Sequence, residues 1–347
     1  MTKVLLTGGS GFIAAHILDQ LLAKGHSVVT TVRSEDKAQH IREAYPSQTS
    51  SGDLVVAIVP DIAKPDAFDL VVANTPNLEV VLHTASPFHF KFKDPKELID
   101  PAVIGTTAIL RAIARSAPTV KRVVITSSFA AILDEAKFTD PSTTFSETSW
   151  NPVTIDDIHR SPATAYRASK TLAEKAAWDF VTDKSNNAKF DIVTVNPPMV
   201  FGPVVHNLAG GLQSINTSNE RLVDLLQGKW KEGIASTGGG ILWVDVRDVA
   251  TAHVKAGLEI PEASGKRLFA TAGLFSNAEI ARVVRRDFPE YADKLPAESA
   301  DAGGELPAED QRFRFNNDAT TKLLGIDWIP LDKSIGDTVK SLKTHGA

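Results

Sequence analysis

The chain contains no cysteine among its 347 residues. This absence excludes disulfide bridges, thiolate metal ligands and a thiol nucleophile, and we predict no metal site. It also fits a reducing compartment, so we expect a cytoplasmic location. Basic residues are not in excess, since 37 Lys and Arg stand against 42 Asp and Glu. The formal net charge of -5 argues against a nucleic-acid partner, which usually requires a basic surface.

Long apolar runs are also missing from the sequence. The first one, Val4–Thr7, is too short for a signal peptide, and no later run approaches the length of a membrane span. We therefore expect no membrane partner. The hydrophobic content of 43% and the charged content of 23% are typical of a globular protein. A chain of this length predicts about two domains.

The first half alternates strand-like and helix-like segments, which predicts an α/β Rossmann fold with a doubly wound parallel sheet. The predicted strands are Val4–Thr7, Ser27–Val32, Leu54–Val59, Val80–His83, Val123–Thr126 and Ile192–Val195. The predicted helices are Phe12–Ala23, Asp36–Ala44, Lys96–Ser116 and Thr164–Thr182, followed later by Asp248–Leu258. Residues 134–162 are predicted as a long loop. We assign residues 1–200 plus about 234–258 to the Rossmann domain, and about 201–233 plus 259–347 to a smaller, mixed substrate-binding domain.

A glycine-rich turn follows the first strand and opens the first helix. Gly8 permits a tight turn, and Gly11 lets the backbone approach a pyrophosphate at the helix N-terminus. Ala14 occupies the third small position, where the helix packs close to the sheet. The turn predicts a dinucleotide site, although a tight turn without a ligand would need the same glycines. The predicted cofactor contacts around this turn are Thr7, Gly8, Gly11, Phe12 and Ile13.

The end of the second strand indicates which dinucleotide binds. An NAD site usually has an acidic residue there, whereas an arginine accommodates a 2′-phosphate. This chain has Arg33, and Lys37 follows one helical turn later. The pattern favours NADPH over NADH. After the third strand, Asp61 and Ile62 are candidates for holding the adenine, and a helix N-cap by Asp61 or Asp66 is an equally good alternative.

Small and hydroxyl-bearing residues end the fourth and fifth strands. Thr84, Ala85 and Ser86 are small enough for the backbone to pass beside a dinucleotide. Thr126 and Ser128 end the fifth strand, and the carboxyl ends of central strands face the ligand crevice of such sheets. We predict that these residues line the crevice that holds the cofactor and the reacting group.

Tyr166 and Lys170 lie four residues apart on a predicted helix and therefore share one face. A lysine one turn away should lower the phenol pKa below its ordinary value of about 10. Ser128 can meet both residues over the nicotinamide. We predict that Ser128 binds a carbonyl oxygen, that Tyr166 donates a proton to it, and that Lys170 supplies a cation and holds the nicotinamide ribose.

Five segments in order resemble the extended short-chain dehydrogenase/reductases. They read T-G-G-S-G-F-I-A, H-T-A-S-P, I-T-S-S, Y-R-A-S-K and N-P-P-M-V-F-G-P. Within that family the chain is most similar to the fungal NADPH-dependent methylglyoxal and isovaleraldehyde reductases and related carbonyl reductases. The closer similarity lies in V-P-D-I-A-K-P-D-A-F-D, A-E-K-A-A-W and V-D-V-R-D-V-A-T-A-H.

The resemblance implies reduction of aldehydes or ketones by NADPH, with methylglyoxal, isovaleraldehyde and aryl or keto-ester carbonyls as expected substrates. It makes Ser128, Tyr166 and Lys170 the catalytic residues, and Arg33 and Lys37 a clamp for the 2′-phosphate. Pro197 and Val200 would lie beside the nicotinamide. The implied substrate pocket, whose members could equally be core residues, consists of Phe88, Phe129, Leu133 and Met199. Relatives suggest a monomer or a homodimer.

Three other functions fit parts of the pattern. A dihydroflavonol or cinnamoyl-CoA reductase would use the same fold and triad, but the cysteine-containing motif associated with cinnamoyl-CoA reductases is absent. A sugar epimerase or dehydratase would retain NAD tightly, which the arginine at position 33 disfavours. A non-catalytic NADP(H) sensor would not need a tyrosine with a tuned pKa.

Overall fold

The computed structural model describes residues 1–86, 92–205 and 211–346, with residues 301 and 302 described by their backbone alone. Its strands are β1 (Lys3–Thr7), β2 (Ser27–Val32), β3 (Leu54–Ile58), β4 (Val80–His83), β5 (Arg122–Thr126), β6 (Thr144–Phe145), β7 (Asp191–Val195), β8 (Met199–Phe201), β9 (Leu242–Asp245), β10 (Arg267–Leu268), β11 (Gly273–Leu274) and β12 (Arg314–Phe315). Its helices are α1 (Phe12–Ala23), α2 (Glu35–Ala44), α3 (Pro46–Ser51), α4 (Asp69–Ala73), α5 (Lys96–Ser116), α6 (Pro162–Thr182), α7 (Thr217–Leu226), α8 (Val246–Leu258), α9 (Asn277–Asp287), α10 (Asp318–Leu324) and α11 (Leu331–Lys343). Across these described ranges, no helix is long and apolar enough to cross a membrane.

The main sheet has seven parallel strands in the order β3-β2-β1-β4-β5-β7-β10. This order confirms the predicted Rossmann fold, and the six predicted strands agree with the structure to within one residue at each end. The seventh strand, β10, was not predicted, because two residues are too few to show a pattern. It lies within residues 259–347, yet it pairs with β7 in the large sheet. The domain borders themselves stay a prediction.

Both faces of the main sheet are covered, because successive side chains of a strand point to opposite faces. In β1, Val4 and Leu6 pack into the hydrophobic core that includes α1 and α8. Leu5 points the other way, into the core that includes α5 and the end of α6. The strand ends that carry the predicted site residues therefore emerge between two helical layers.

The smaller part of the molecule is built on two short sheets. In the first, β8 runs parallel to β9, and β11 pairs antiparallel with β9. In the second, β6 and β12 run parallel, so the predicted loop 134–162 contains a short strand paired with the C-terminal region. A cluster of Phe129, Phe145, Phe269 and Phe313 packs beneath this contact. The long loop is thereby held against the body of the protein.

Candidate active site

Helix α6 places two of the predicted catalytic residues on successive turns. It begins after Ser161, whose side-chain oxygen accepts a hydrogen bond from the Thr164 N–H at 3.0 Å, with Pro162 in the first turn. Tyr166 and Lys170 follow on the same face, as the spacing predicts. Because the cap determines where α6 begins, it also determines where these two side chains lie relative to the ends of the sheet strands.

The three predicted catalytic side chains lie at one place, but in two hydrogen-bonded pairs. Ser128, directly after β5, makes a side-chain hydrogen bond with Tyr166. Its hydroxyl oxygen also accepts from the Ala130 N–H at 3.1 Å, which holds the side chain in position. Lys170 donates from Nζ to the Ser86 hydroxyl at 3.0 Å. The ends of β4 and β5 and the face of α6 therefore converge at this point.

The pKa values of Tyr166 and Lys170 differ from our prediction in one respect. Burial raises the pKa of the Tyr166 phenol, and the hydrogen bond with Ser128 offsets part of that increase. Our prediction of a lowered phenol pKa is therefore wrong for this arrangement, because the effect of burial is the larger one. Burial also lowers the pKa of the Lys170 ammonium to about 8. At neutral pH the phenol is a protonated donor and the lysine is still a cation.

The glycine turn has the shape of a cradle for a backbone-bound anion. Gly8 has a φ of 76°, and a Cβ atom there would lie 3.0 Å from the Ala85 Cα. At Gly9, to which we assigned no role, a Cβ atom would lie 2.1 Å from the Thr30 hydroxyl oxygen. Helix α1 then begins at Phe12 with no side-chain cap, so its first N–H groups remain available to a phosphate. These features fit a dinucleotide pyrophosphate.

Thr7, Thr84 and Ala85 form one hydrogen-bonded unit across the ends of β1 and β4. The Thr7 hydroxyl oxygen lies 3.2 Å from the Thr84 N–H nitrogen and 3.1 Å from that of Ala85, accepting from both. Thr84 donates its hydroxyl to the Thr7 carbonyl at 2.6 Å. The Thr7 hydroxyl also contacts Nδ1 of His83 at 2.9 Å. These predicted cofactor contacts therefore join the ends of β1 and β4 by hydrogen bonds.

Arg33 and Lys37 lie together beside the glycine turn. Burial lowers the pKa of the Lys37 ammonium, and the nearby Arg33 charge lowers it further. Lys37 reaches the Ser10 hydroxyl at 3.4 Å, and among the described residues neither cation forms an ion pair with a carboxylate. Two cations left facing each other next to a serine hydroxyl form a suitable site for a phosphate. Ser10, which the sequence analysis did not select, belongs to this group.

The predicted adenine contacts have structural partners of their own. The Asp61 carboxylate accepts a hydrogen bond from the Ala63 N–H at 2.9 Å, so it closes a local turn. Ile62 packs against the core under α5, where its carbonyl oxygen lies 3.2 Å from the position of a Cβ at Gly105. The alternative that Asp61 stabilises local backbone therefore has a direct basis in the structure, and its role at the adenine stays a prediction.

Three further predicted cofactor contacts take part in polar contacts within the protein. The Thr126 hydroxyl lies 2.7 Å from Nε2 of His253 in α8. The Pro197 carbonyl accepts from the Phe129 N–H at 2.9 Å. Val200 is buried, and its N–H donates to the Ser218 hydroxyl at 3.1 Å. Any contact of these residues with a nicotinamide stays a prediction.

A cavity of about 390 Å³, which we call the catalytic cavity, opens next to Tyr166. Its volume is within the range of small-molecule sites. Phe129, Leu133 and Met199 line it as predicted, whereas Phe88 lies outside the described residues. The complete lining is Ser128, Phe129, Ala130, Leu133, Glu135, Phe138, Ala163, Tyr166, Arg167, Pro198, Met199, Gly239, Gly240 and Leu242.

Phe138 and Gly239 form a wall of the catalytic cavity that the sequence analysis missed. A Cβ atom at Gly239 would lie 2.6 Å from the Phe138 ring, so any larger residue there would displace that ring. The run of three glycines before β9 was a visible signal in the sequence. Its partner Phe138, a hundred residues earlier in the long loop, carries no such signal in the sequence.

Glu174 is the centre of a buried network that was also missed. It is 2% exposed and forms an ion pair with Arg267 at 2.6 Å. Its carboxylate also accepts from the Ser127 hydroxyl and from Nδ2 of Asn196 at 2.7 Å. The same Asn196 nitrogen donates to the Ser128 carbonyl at 3.2 Å. A glutamate one turn after Lys170 among alanines was the available signal for this network.

Comparison with known proteins gives a consistent set of matches. The profile of the family described as "NAD dependent epimerase/dehydratase family" matches residues 4–268. The ketoreductase azaE of Aspergillus niger is 45% identical over 98% of this chain and 97% of its own. The putative NADPH-dependent methylglyoxal reductase GRP2 of Candida albicans is 40% identical over 98% of both chains. The crystal structure of yeast methylglyoxal/isovaleraldehyde reductase Gre2 complexed with NADPH superposes with a TM-score of 0.88 at 36% identity, covering 99% of this chain and 98% of the other.

Proposed function

This chain belongs to the NAD dependent epimerase/dehydratase family, and on that premise we propose that it reduces aldehydes or ketones to alcohols with NADPH. The observation that carries the proposal is the hydrogen-bonded pair of Ser128 and Tyr166 at the wall of the catalytic cavity. A hydroxyl donor next to a protonated phenol is suited to hold and protonate a carbonyl oxygen. The names of the ketoreductase and methylglyoxal reductase relatives support the same chemistry.

The residues of the site divide the reaction between them. Ser128 and Tyr166 hold the carbonyl oxygen by hydrogen bonds, which polarises the carbonyl carbon. NADPH, held by the glycine turn and by Arg33 and Lys37, would supply the hydride for the reduction. Tyr166 gives its phenolic proton to the oxygen, so the product is an alcohol, and the tyrosine regains a proton from solvent. The Lys170 cation stabilises the phenolate that Tyr166 becomes during the transfer.

We propose NADPH rather than NADH because of the charges at the end of β2. Arg33 and Lys37, with Ser10 beside them, offer two cations and a hydroxyl to a 2′-phosphate. The ribose of NAD would lack the acidic partner that usually marks its site. The relatives whose names include NADPH support this choice. The same charges disfavour an epimerase that retains NAD, although the family name includes such enzymes.

The substrate belongs to the small carbonyl compounds that fit an apolar cavity of about 390 Å³. Phe129, Leu133, Phe138 and Met199 supply apolar walls, which favours aliphatic aldehydes and aryl or keto-ester carbonyls. Methylglyoxal and isovaleraldehyde, which the relatives' names contain, are the first compounds to test. A cytoplasmic location and a monomeric or homodimeric state remain part of this proposal.

The experiment follows NADPH oxidation by absorbance with methylglyoxal, isovaleraldehyde and an aryl ketone. We expect turnover with at least one of them, and a loss of about 10²- to 10⁴-fold in kcat for Tyr166→Phe, because a general acid typically contributes that much. Cofactor affinity should be nearly unchanged in that variant, because the glycine turn and Arg33 are untouched.

Tyr291→Phe is the matched control, since it removes a hydroxyl from another buried tyrosine, one that does not line the catalytic cavity. This variant should retain activity. Full activity of Tyr166→Phe would refute the assignment of the proton donor. No oxidation of NADPH with any carbonyl compound, despite measured NADPH binding, would refute the proposed function.

A further inference from the structure

Arg167 lies between the catalytic cavity and a second depression, which we call the outer cleft. The outer cleft has a volume of about 540 Å³ and is lined by Asp134, Glu135, Ala136, Asn151, Pro152, Val153, Asp157, Arg160, Thr164 and Arg167. Glu135 and Arg167 line both cavities. Because Arg167 directly follows Tyr166 on α6, it is the charged group nearest in sequence to the proton donor. A substituent that extends from the catalytic cavity into the outer cleft would pass Arg167, because this residue lines both.

Two contacts hold the Arg167 side chain in place. Its guanidinium forms an ion pair with Glu135 through Nη1, and it lies over the Phe138 ring at 5.6 Å from the ring centre. The side chain is 16% exposed, while that of Glu135 is 58% exposed. The arginine is therefore held against the cavity wall, and its carboxylate partner is the more exposed member of the pair.

Most hydrogen-bonding capacity of Arg167 is unused among the described residues. A guanidinium has five N–H donors, and here only Nη1 donates, to Glu135. Arg122 and Arg267, which are similarly buried, each donate from Nε, Nη1 and Nη2. Arg167 is not among the described residues with a buried polar atom that lacks a partner, so its remaining donors reach the solvent of the cavities that it lines. The remaining donors of Arg167 are thus available to an acceptor that enters one of the two cavities.

The charges around Arg167 indicate which acceptor is favoured. Glu135 already neutralises Arg167, and Asp157 pairs with Arg160 at 2.8 Å. Asp134 adds a further negative charge, and within the part of the chain that the structure describes its carboxylate accepts one hydrogen bond, from the Ala136 N–H at 3.0 Å. An incoming carboxylate would be repelled by these acidic groups, whereas a neutral carbonyl oxygen would not.

We propose that Arg167 binds a neutral oxygen acceptor, such as an ester or amide carbonyl, carried by the substrate at a distance from the reacting carbonyl, and that the outer cleft receives the rest of that substituent. This assignment rests on the proposed function and adds to it a preference for carbonyl compounds with a second, uncharged acceptor group. The acceptor takes the unused donors of Arg167 and leaves the ion pair with Glu135 intact.

The test uses methyl oxoalkanoates in which one to four carbons separate the ketone from the ester. Each ester is compared with its free oxo acid and with an alkyl ketone of equal length. At the best spacing, kcat/KM for the ester should exceed that for the ketone by about tenfold or more, because a hydrogen bond to a charged group is worth that much. The acid should be a poorer substrate than the ester.

Three variants separate the roles of the residues. Arg167→Met should bring the ratio of ester to ketone kcat/KM close to one, and Arg167→Lys should give an intermediate ratio, since the charge remains without the planar fork. Glu135→Gln should raise kcat/KM for the acid relative to the ester. Arg221→Met is the matched control, because Arg221 also lies over a phenylalanine and makes one side-chain hydrogen bond, but does not line the catalytic cavity.

The outcomes are distinguishable from a failure of the proposed function. An ester to ketone ratio that is the same in the wild type and in Arg167→Met would overturn the role of Arg167. An oxo acid that exceeds its ester in the wild type would overturn the preference for a neutral acceptor. If no carbonyl compound is reduced at all, the proposed function fails and this assignment fails with it.

Discussion

Removing the charge of Glu174 should weaken both the fold and the catalytic site. In Glu174→Gln the ion pair with Arg267 is lost, while the side chain keeps its shape. The new amide group would face Nδ2 of Asn196 or the arginine, both of which are donors, so one hydrogen bond becomes a donor-donor contact. Breaking a buried ion pair by removing one partner typically costs about 3–5 kcal/mol.

We expect the lower end of this range, because Arg267 retains other acceptors. Its Nη1 donates to the backbone carbonyl of Glu147 at 2.8 Å, and its guanidinium lies 3.7 Å from the centre of the Trp150 ring. A loss of about 3 kcal/mol corresponds to a fall of about 1 M in the urea midpoint, at a slope of about 3 kcal/mol per molar urea.

The assay is urea unfolding followed by tryptophan fluorescence. Glu79→Gln is the matched control, because the ion pair of Glu79 with Lys121 is exposed and is expected to contribute less than about 1 kcal/mol. The rate should fall as well, since Asn196 links Glu174 to the backbone of Ser128. A urea midpoint of Glu174→Gln equal to that of Glu79→Gln would refute the argument that the buried pair holds the site.

Two further predictions concern the cofactor and the pH profile. Arg33→Asp should weaken NADPH binding by about 10- to 100-fold and leave NADH nearly unaffected, as read from KM values, because a charge-assisted hydrogen bond is lost and a repulsive carboxylate is added. Arg42→Asp in the following helix α2 is the control, and equal effects on both cofactors would exclude the phosphate clamp. Burial lowers the pKa of Lys170 to about 8 and raises that of Tyr166, so both groups are protonated at neutral pH and kcat/KM for reduction should fall as the pH rises through about 8. Lys170→Arg, whose guanidinium does not titrate there, should remove that fall, and a wild-type rate that rises above pH 8 would contradict the assignment.

The sequence was sufficient for those parts of the molecule that are encoded locally. The six strands of the main sheet are apolar runs bounded by turns, and α1 and α5 match the predicted bounds. Tyr166 and Lys170 could be paired because a helix fixes the geometry of residues four apart. The sequence alone therefore places a residue best when its position depends on a single helix or strand, or on the order of strands in a known type of sheet.

Contacts between distant segments were beyond the sequence. The pair of Glu174 and Arg267 joins α6 to β10 across 93 residues, and neither residue carries a local signature of a partner. The same holds for Phe138 against Gly239. The sign of the pKa shift at Tyr166 was missed for a related reason, since the degree of burial depends on everything packed around the phenol. These features depend on tertiary packing, which the local sequence pattern does not show.

The separation of the two halves of the site has a consequence for how the protein can change. The glycine turn and the residues predicted to clamp the cofactor lie before residue 87, whereas the walls of the catalytic cavity come from segments around 128–138, 163–167, 198–199 and 239–242. Substitutions in those later segments need not alter the turn that cradles the dinucleotide. One reductase scaffold can therefore acquire a new substrate range by exchanging a few loop residues while its supply of reducing equivalents stays the same.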